Sequence, residues 1–137
     1  WCRRIQCWQV HDQTLRGCFL MATMSRQILS GSTTAKGVKV VRTATAGTTV
    51  HTAVGGTSDI DEIWLWAVNS SSSDVKLTIE WGEATAPDGN IEVTIPGEAG
   101  LVSVVPGLIL QNTLVVKAFA GSANVIMIHG FVNRISA

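Results

Sequence analysis

From Ile60 to Ile135 short apolar runs recur about every ten residues, and each is closed by Gly, Pro, Asn or Ser. The runs are rich in Val and Ile, and no segment between them is long enough for a helix. This spacing is typical of an all-β sandwich or barrel. The predicted strands lie at 37–45, 48–54, 60–68, 75–81, 91–95, 101–110, 113–120 and 124–132. Eight strands is the number in a jelly roll, so we predict an antiparallel, jelly-roll-like β-sandwich over residues 37–137.

Alternation within the runs predicts which side chains face the core. In 75–81 (VKLTIEW) the apolar residues share one face, and Glu80 points to the other. The run at 60–68 is apolar on both faces, which indicates a strand that is central or covered on both sides. Pro106 lies inside the run at 101–110, and because proline cannot donate a ladder hydrogen bond we predict an edge strand or a bend there.

Residues 1–36 look different from the rest and are predicted to form an extended N-terminal arm, with a linker rich in Ser, Thr, Ala and Gly at 22–36. Residues 1–50 carry seven basic groups against one acidic group, whereas residues 51–137 carry three against nine. This asymmetry predicts a basic arm on an acidic body. The basic residues form no dense block, so contact with a neighbouring copy is favoured over nucleic acid.

Residues 1–20 leave two interpretations open. MATMSRQ, from Met21, resembles an ordinary protein start, so the preceding residues are either an upstream extension of the reading frame or a real arm. They contain Cys2, Cys7 and Cys18, the chain's three cysteines. Their position and spacing fit neither a disulfide scaffold nor a familiar zinc site, so we expect reduced thiols and no metal or other cofactor. No secretory signal and no membrane-spanning stretch is expected.

Acidic residues provide two candidate sites. Asp59, Asp61 and Glu62 form the densest cluster, but they lack the spacing of an EF-hand loop and are predicted to be solvated charges at a strand entry. Glu80 and Glu83 flank Trp81-Gly82, a pattern that invites comparison with the carboxylate pair of a glycosidase. The alternation turns Glu80 away from the apolar face, so catalysis is the least favoured hypothesis.

Two histidines lie within predicted strands. Neither His51 nor His129 has a Ser or Cys nearby in a nucleophile motif. Both are predicted to be hydrogen-bonded, half-buried strand residues. We therefore expect no catalytic residues, and a chain that is not an enzyme.

Four stretches of the body resemble those of a known class of proteins: EIWLWAVNSS, VKLTIEWGEATAPDGNIEVTIP, GLVSVVPGLILQNTLVVKAFA and ANVIMIHGFVNRIS. Through these stretches the body resembles the small all-β decoration, or cement, proteins of tailed bacteriophage capsids. The resemblance implies a virion protein on the capsid exterior, made in the host cytoplasm, that bridges major capsid subunits and stabilises the shell. It also implies the major capsid protein and other copies of the chain, as a trimer or dimer, as partners, with no membrane. The cysteine-bearing arm has no place in that pattern.

The residues expected to make these contacts belong to the arm: Arg3, Arg4, Trp8, Arg16, Arg26 and Lys36. The alternative is another virion part, such as a neck, tail or head-fibre component. In that case a carbohydrate-binding face would use Trp64, Trp66 or Trp81.

Overall fold

The computed structural model describes residues 21–137, which form nine β-strands in two antiparallel sheets. The strands are β1 (Thr23–Ile28), β2 (Val38–Lys39), β3 (Thr48–Thr52), β4 (Ile60–Asn69), β5 (Val75–Trp81), β6 (Asn90–Ile95), β7 (Val102–Leu110), β8 (Val115–Ala120) and β9 (Ile126–Ser136). Across these residues no helix has the length and apolar character that a membrane crossing requires. The prediction of an all-β fold is confirmed.

One sheet has five strands in the order β1-β9-β4-β7, with β2 also paired to β9. The other has four strands in the order β3-β8-β5-β6. The pairing is nested along the chain: β1 pairs with β9, β3 with β8, β4 with β7, and β5 with β6. Strands that are distant in sequence are therefore neighbours, and both ends of the described chain meet at the β1–β9 edge.

The inward faces of the two sheets form one core. Every second residue of β4 is buried, and Ile63, Leu65 and Ala67 have no exposed surface. Leu77 and Ile79 of β5, in the opposite sheet, are equally buried and belong to the same apolar cluster. Two half-apolar sheets that share one core are the arrangement expected of a sandwich.

Strand boundaries differ from the sequence prediction mainly near the N-terminal end. The segment 22–36, expected to be a linker, instead contributes β1, and the following Leu29 is only 1% exposed. The strand predicted over 37–45 is reduced to the two residues of β2. The remainder of the expected arm, residues 1–20, lies outside the described residues.

The other predicted strands are close to those observed. The runs on either side of Pro106 form the single strand β7, at the edge of its sheet, and its register against β4 shifts near the proline. The strand predicted at 60–68 is β4, which lies between β9 and β7 and is therefore central. The outward face of β4 is only half-buried, because no other part of the described chain forms a layer over it.

Candidate functional site

The most distinctive surface of the described chain is the outward side of the five-stranded sheet. Directly opposite residues of an antiparallel pair lie on the same face, so the strand registers identify the side chains that share this surface. We call this surface the aromatic face. Its central members are Met24, Arg26 and Ile28 of β1, Phe131, Asn133 and Ile135 of β9, and Ile60, Glu62, Trp64 and Trp66 of β4.

Three aromatic rings form the middle of this face. The ring centroids of Trp64 and Trp66 are 6.3 Å apart, with 20° between the ring planes. Phe131 lies 6.4 Å from Trp64 and 5.9 Å from Trp66. Trp64 extends across β7, where Gly107 leaves room for the indole, since a β-carbon at Gly107 would lie 2.8 Å from its Cζ2 atom. The absence of a side chain at Gly107 therefore lets the indole reach over β7.

A polar row crosses the same face next to the rings. The Nε atom of Arg26 donates to Oδ1 of Asn133 (3.4 Å), and Nδ2 of Asn133 donates to Oε2 of Glu62 (3.4 Å). The other oxygen of Glu62 accepts a hydrogen bond from the Trp64 indole (2.8 Å). The guanidinium carbon of Arg26 also lies 4.3 Å from the Phe131 ring centroid, a cation–π distance. The row is thus connected by hydrogen bonds across the three strands and presents a cation at one end and an anion at the other.

Apolar residues flank the polar row on both sides. On the side toward the start of β1 and the end of β9, Met24 is 69% exposed and lies opposite Ile135. Ile135 in turn lies opposite Ile60, at the start of β4. On the other side, Ile28 is 51% exposed and lies opposite Phe131. Large apolar side chains that lie together on a surface mark a site of contact with another molecule more often than isolated ones do.

The core side of the same strands holds a buried ion cluster. Asp61 has no exposed surface, and it accepts hydrogen bonds from Nε and Nη2 of Arg134 at 2.8 and 2.9 Å. It also accepts bonds from Nε2 of His51 (2.9 Å) and the backbone N–H of Val54 (2.9 Å). This cluster joins β3, of the four-stranded sheet, to β4 and β9 of the five-stranded sheet.

The environment of Asp61 favours its charged form. Burial by itself raises the pKa of this carboxyl, but the hydrogen bonds from Arg134, His51 and Val54 outweigh burial and hold the pKa below its ordinary value. The hydrogen bond to Asp61 raises the pKa of Arg134. Asp61 is therefore an ionised structural residue, and the prediction that it is a solvated strand-entry charge is wrong.

The other two acidic residues of that segment also have partners within the protein. Asp59 accepts hydrogen bonds from Ser136 Oγ (3.1 Å) and the backbone N–H of Ala137 (3.3 Å), and Glu62 belongs to the polar row. Within residues 21–137, no group of three or more His, Cys, Asp or Glu side chains is placed to hold a metal ion. The described part of the chain therefore offers no assembled metal centre.

Both ring nitrogens of His51 are occupied. Nδ1 accepts from the backbone N–H of Ser30 (3.0 Å), and a carboxylate can only accept, so the network assigns the proton to Nε2, facing Asp61. The ring is hydrogen-bonded as predicted, but it is only 2% exposed. His129, also predicted to be half-buried, is instead exposed on the aromatic face, opposite Trp66.

The carboxylate pair considered for hydrolysis divides between two environments. Glu80 is 1% exposed and accepts hydrogen bonds from Thr45 Oγ1 on one oxygen and from the backbone N–H of Gly47 (2.8 Å) on the other. Glu83 is exposed. Two open hollows of about 200 and 290 Å³ lie beside Glu80, below the roughly 300–1,000 Å³ of usual ligand pockets. Glu80 serves to fasten the 43–47 loop to β5.

Of the six arm residues predicted to contact the shell or another copy, two lie within the described residues and four lie outside them. Arg26 lies on the aromatic face, and Lys36 is exposed in the loop before β2. Arg3, Arg4, Trp8 and Arg16 lie outside the described residues. Of the tryptophans considered for sugar binding, Trp64 and Trp66 are on the aromatic face, whereas Trp81 packs against the core.

Two central members of the face, Phe131 and Asn133, are not among the candidate residues predicted from the sequence. The alternation of the last run gives a signal for them, because it places them on the other face of the strand from the buried Ile128 and Val132. Their proximity to Trp64 and Glu62 depends on the β4–β9 register, and the local sequence does not specify that register.

Comparison with protein-family models, curated proteins and solved structures finds no match for this chain. Any functional conclusion therefore rests on the surface chemistry and architecture described above. The described residues present a broad apolar face with a fixed polar row, an arrangement suited to binding another molecule.

Proposed function

We propose that the chain is a structural subunit of a bacteriophage virion that decorates the capsid exterior and stabilises the shell by bridging major capsid subunits. The observation that carries the proposal is the aromatic face, an exposed apolar surface on a body made of β-strands. Exposed apolar patches of this kind are typical of protein contact surfaces. The resemblance of the body's sequence to phage decoration proteins, expected from the stretches quoted above, favours the same role.

The strand order supports the finer assignment of a jelly roll. In the nested pairing, a long antiparallel hairpin with its tip at β5–β6 is rolled so that successive pairs alternate between the two sheets. Rolling such a hairpin is one way to build the two Greek keys of a jelly roll. Tight β-structure keeps the conformational entropy of the body low, which suits a part that must brace a shell.

Attachment to the shell itself is assigned to the basic residues ahead of the sandwich (Arg3, Arg4 and Arg16) together with Lys36. The aromatic face provides a further contact within the same assembly. Each such contact is weak, but several copies linked together bind a lattice far more tightly than one copy does. Catalysis has no part in the proposal. Both oxygens of Glu80 already accept hydrogen bonds within the fold.

The test is an add-back experiment with shells assembled without this protein. Purified full-length chain is mixed with the shells, the shells are sedimented, and bound copies are counted by quantitative densitometry. We expect saturable binding of many copies per shell and a higher melting temperature of the decorated shell. Shells that bind no protein, or bind it without gaining heat resistance, would contradict the proposal.

A matched pair of variants refines this experiment. Lys36→Glu alters a proposed shell contact, whereas Lys76→Glu makes the same charge change on the four-stranded sheet, where Lys76 forms an exposed pair with Glu92. We expect Lys36→Glu to weaken shell binding and Lys76→Glu to leave it unchanged. Equal effects of the two variants would show that net charge, rather than this contact, governs attachment.

One observation favours a second candidate, a neck, tail or head-fibre part that binds carbohydrate. Trp64, Trp66 and Phe131 lie side by side, with the Trp64 ring plane within 20° of each of the other two, and adjacent aromatic rings can form a platform for a sugar ring. Copy number separates the two candidates, because a neck or tail part is present in far fewer copies per particle than a decoration protein. Binding on a glycan array that is lost in Trp66→Ala would favour the second candidate.

A further inference from the structure

We propose that the aromatic face pairs with the aromatic face of a second copy of this chain, in a two-fold dimer whose axis runs along β9. The inference rests on the proposed function only in treating this face as a protein contact. It adds the identity of the partner and the orientation of the contact. Charged and apolar residues follow a fixed order in three neighbouring rows of this sheet.

The three rows run across β1, β9 and β4 in register. The first contains Met24, Ile135 and Ile60; the second contains Arg26, Asn133 and Glu62; the third contains Ile28, Phe131 and Trp64. A charged row thus lies between two apolar rows. By the usual strand spacing, its cation and anion are separated by roughly 10 Å, with Asn133 midway between them.

This order makes the face complementary to itself in one orientation. A two-fold axis along β9 places β4 of one copy over β1 of the other. Glu62 of each copy then faces Arg26 of the partner copy, while Phe131 faces its own equivalent and Trp64 faces Ile28. Every row meets a row of its own kind, as an isologous contact requires.

The alternative two-fold axis, along the rows, is disfavoured by charge. It would place Arg26 over Arg26 and Glu62 over Glu62, and like charges brought together in a contact cost several kcal/mol. The polar row therefore selects one arrangement, whereas the apolar rows alone would permit both. Fixing an orientation in this way is a common role of charged residues in interfaces.

The available charges are suited to this pairing. Among residues 21–137, the ion pairs are Lys76–Glu92 and Arg134–Asp61, so neither Arg26 nor Glu62 has an oppositely charged partner there. Both are nevertheless oriented by neutral groups, Asn133 and the Trp64 indole. Preorganised side chains lose little conformational freedom when they meet a partner.

The arrangement overlaps three strands of each copy, β1, β9 and β4, because β7 lies beyond the edge of the partner copy's β1. At the usual strand spacing the overlap is roughly 14 Å wide, and its length runs from about 20 Å along the six residues of β1 to about 33 Å along β9. A standard protein interface buries about 800 Å² on each partner, so this smaller contact is expected to give a weak dimer. A two-fold dimer would also present two shell-attachment sites, one per copy, which is what a bridging subunit needs.

The test uses charge reversal and mixing of the full-length chain, with a thiol reductant present so that cysteines cannot link copies. Sedimentation equilibrium measures the dimer dissociation constant. Arg26→Glu and Glu62→Arg, each alone, place like charges together twice per dimer, and we expect each to raise that constant by about tenfold or more. An equimolar mixture of the two variants restores both opposite-charge pairs and is expected to form a heterodimer.

The mixture is decisive because two misfolded variants would not recover affinity on mixing. Lys76→Glu, an equal charge change on the other sheet, is the control and should dimerise like the native chain. A native chain that stays monomeric at about 100 µM, or single variants that dimerise normally, would overturn the proposal. So would a monomer that binds shells or glycans through Trp66, since the face would then belong to another partner.

Failure here is distinguishable from failure of the proposed function. Dimerisation is measured without shells, and shell binding is measured by sedimentation with them. A monomer that decorates and stabilises shells would overturn only the pairing. A dimer that binds no shell would leave the pairing intact and contradict decoration.

Discussion

Trp64 lies over Gly107 so closely that a β-carbon on the glycine would come within 2.8 Å of the indole. Gly107 also has a φ of +84°, in the left-handed region that side chains disfavour. Two independent reasons therefore require glycine at this position. One is the conformation of the β7 backbone, and the other is the position of a ring on the aromatic face.

The first prediction separates these two reasons. Gly107→Ala should lose about 1–2 kcal/mol of unfolding free energy from its backbone conformation alone, with a further loss from displacing Trp64. Gly100→Ala is the matched control, because Gly100 has a φ of +76° and open space around its would-be β-carbon. Urea unfolding should show the larger loss for Gly107→Ala, and only that variant should change tryptophan fluorescence. Equal losses and unchanged spectra would mean that the ring does not depend on this glycine.

The second prediction concerns the buried ion cluster. Asp61→Asn removes the charge that Arg134 and His51 face, and breaking a buried pair in this way costs about 3–5 kcal/mol. Glu92→Gln breaks the exposed pair with Lys76 and should cost about 0–1 kcal/mol. Chemical denaturation at neutral pH compares the two. A loss for Asp61→Asn no larger than that for Glu92→Gln would show that the cluster does not hold the sheets together.

The third prediction follows from the lowered pKa of Asp61. A carboxyl whose pKa is lower in the folded state stabilises the fold above its unfolded pKa, near the ordinary value of 3.8. That contribution is lost as the pH falls through the folded pKa. The unfolding free energy should therefore decrease below about pH 4 and should decrease less in Asp61→Asn. Urea titrations at several pH values between 2 and 7 measure both curves, and parallel curves would exclude Asp61 as the group responsible.

The fourth prediction distinguishes the two carboxylates once considered for hydrolysis. Glu80→Gln keeps one acceptor oxygen and replaces the other with an amide nitrogen, so only one of the hydrogen bonds from Thr45 and Gly47 keeps its acceptor. Losing a buried hydrogen bond in this way costs about 1–3 kcal/mol. Glu83→Gln, at an exposed position, should change stability by less than about 0.5 kcal/mol. Thermal unfolding of both variants is the measurement. A fully stable Glu80→Gln protein would mean that the carboxylate does not fasten the loop.

Most of the fold was predictable because it is expressed in local pattern. The runs from residue 60 onward are rich in Val and Ile and end in turn residues, so the sequence predicts their strands with small errors. β1 was missed because its residues are almost all exposed and it lies at an edge. An edge strand hydrogen-bonds to one neighbour and needs no buried face, so nothing in TMSRQI distinguishes it from a linker.

The sites were less predictable because they depend on residues far apart in the chain. Asp61 shares a face with the apolar Ile63 and Leu65, which was a local signal for burial. The partner that makes burial possible is Arg134, 73 residues away. Likewise, the polar row needs Arg26 beside Asn133, 107 residues further along. Such proximity is set by strand register, and a single sequence does not specify it.

The nested strand pairing also has a consequence for how this chain folds. Only the β5–β6 hairpin joins strands that follow each other directly, while the β1–β9 ladder joins Thr23 to Ser136. Closing such long loops costs entropy before the contacts repay it, so chains dominated by distant pairings fold over milliseconds to seconds. The β5–β6 hairpin is the natural place for folding to begin. β1, which carries one end of the charged row, would then be among the last strands to dock.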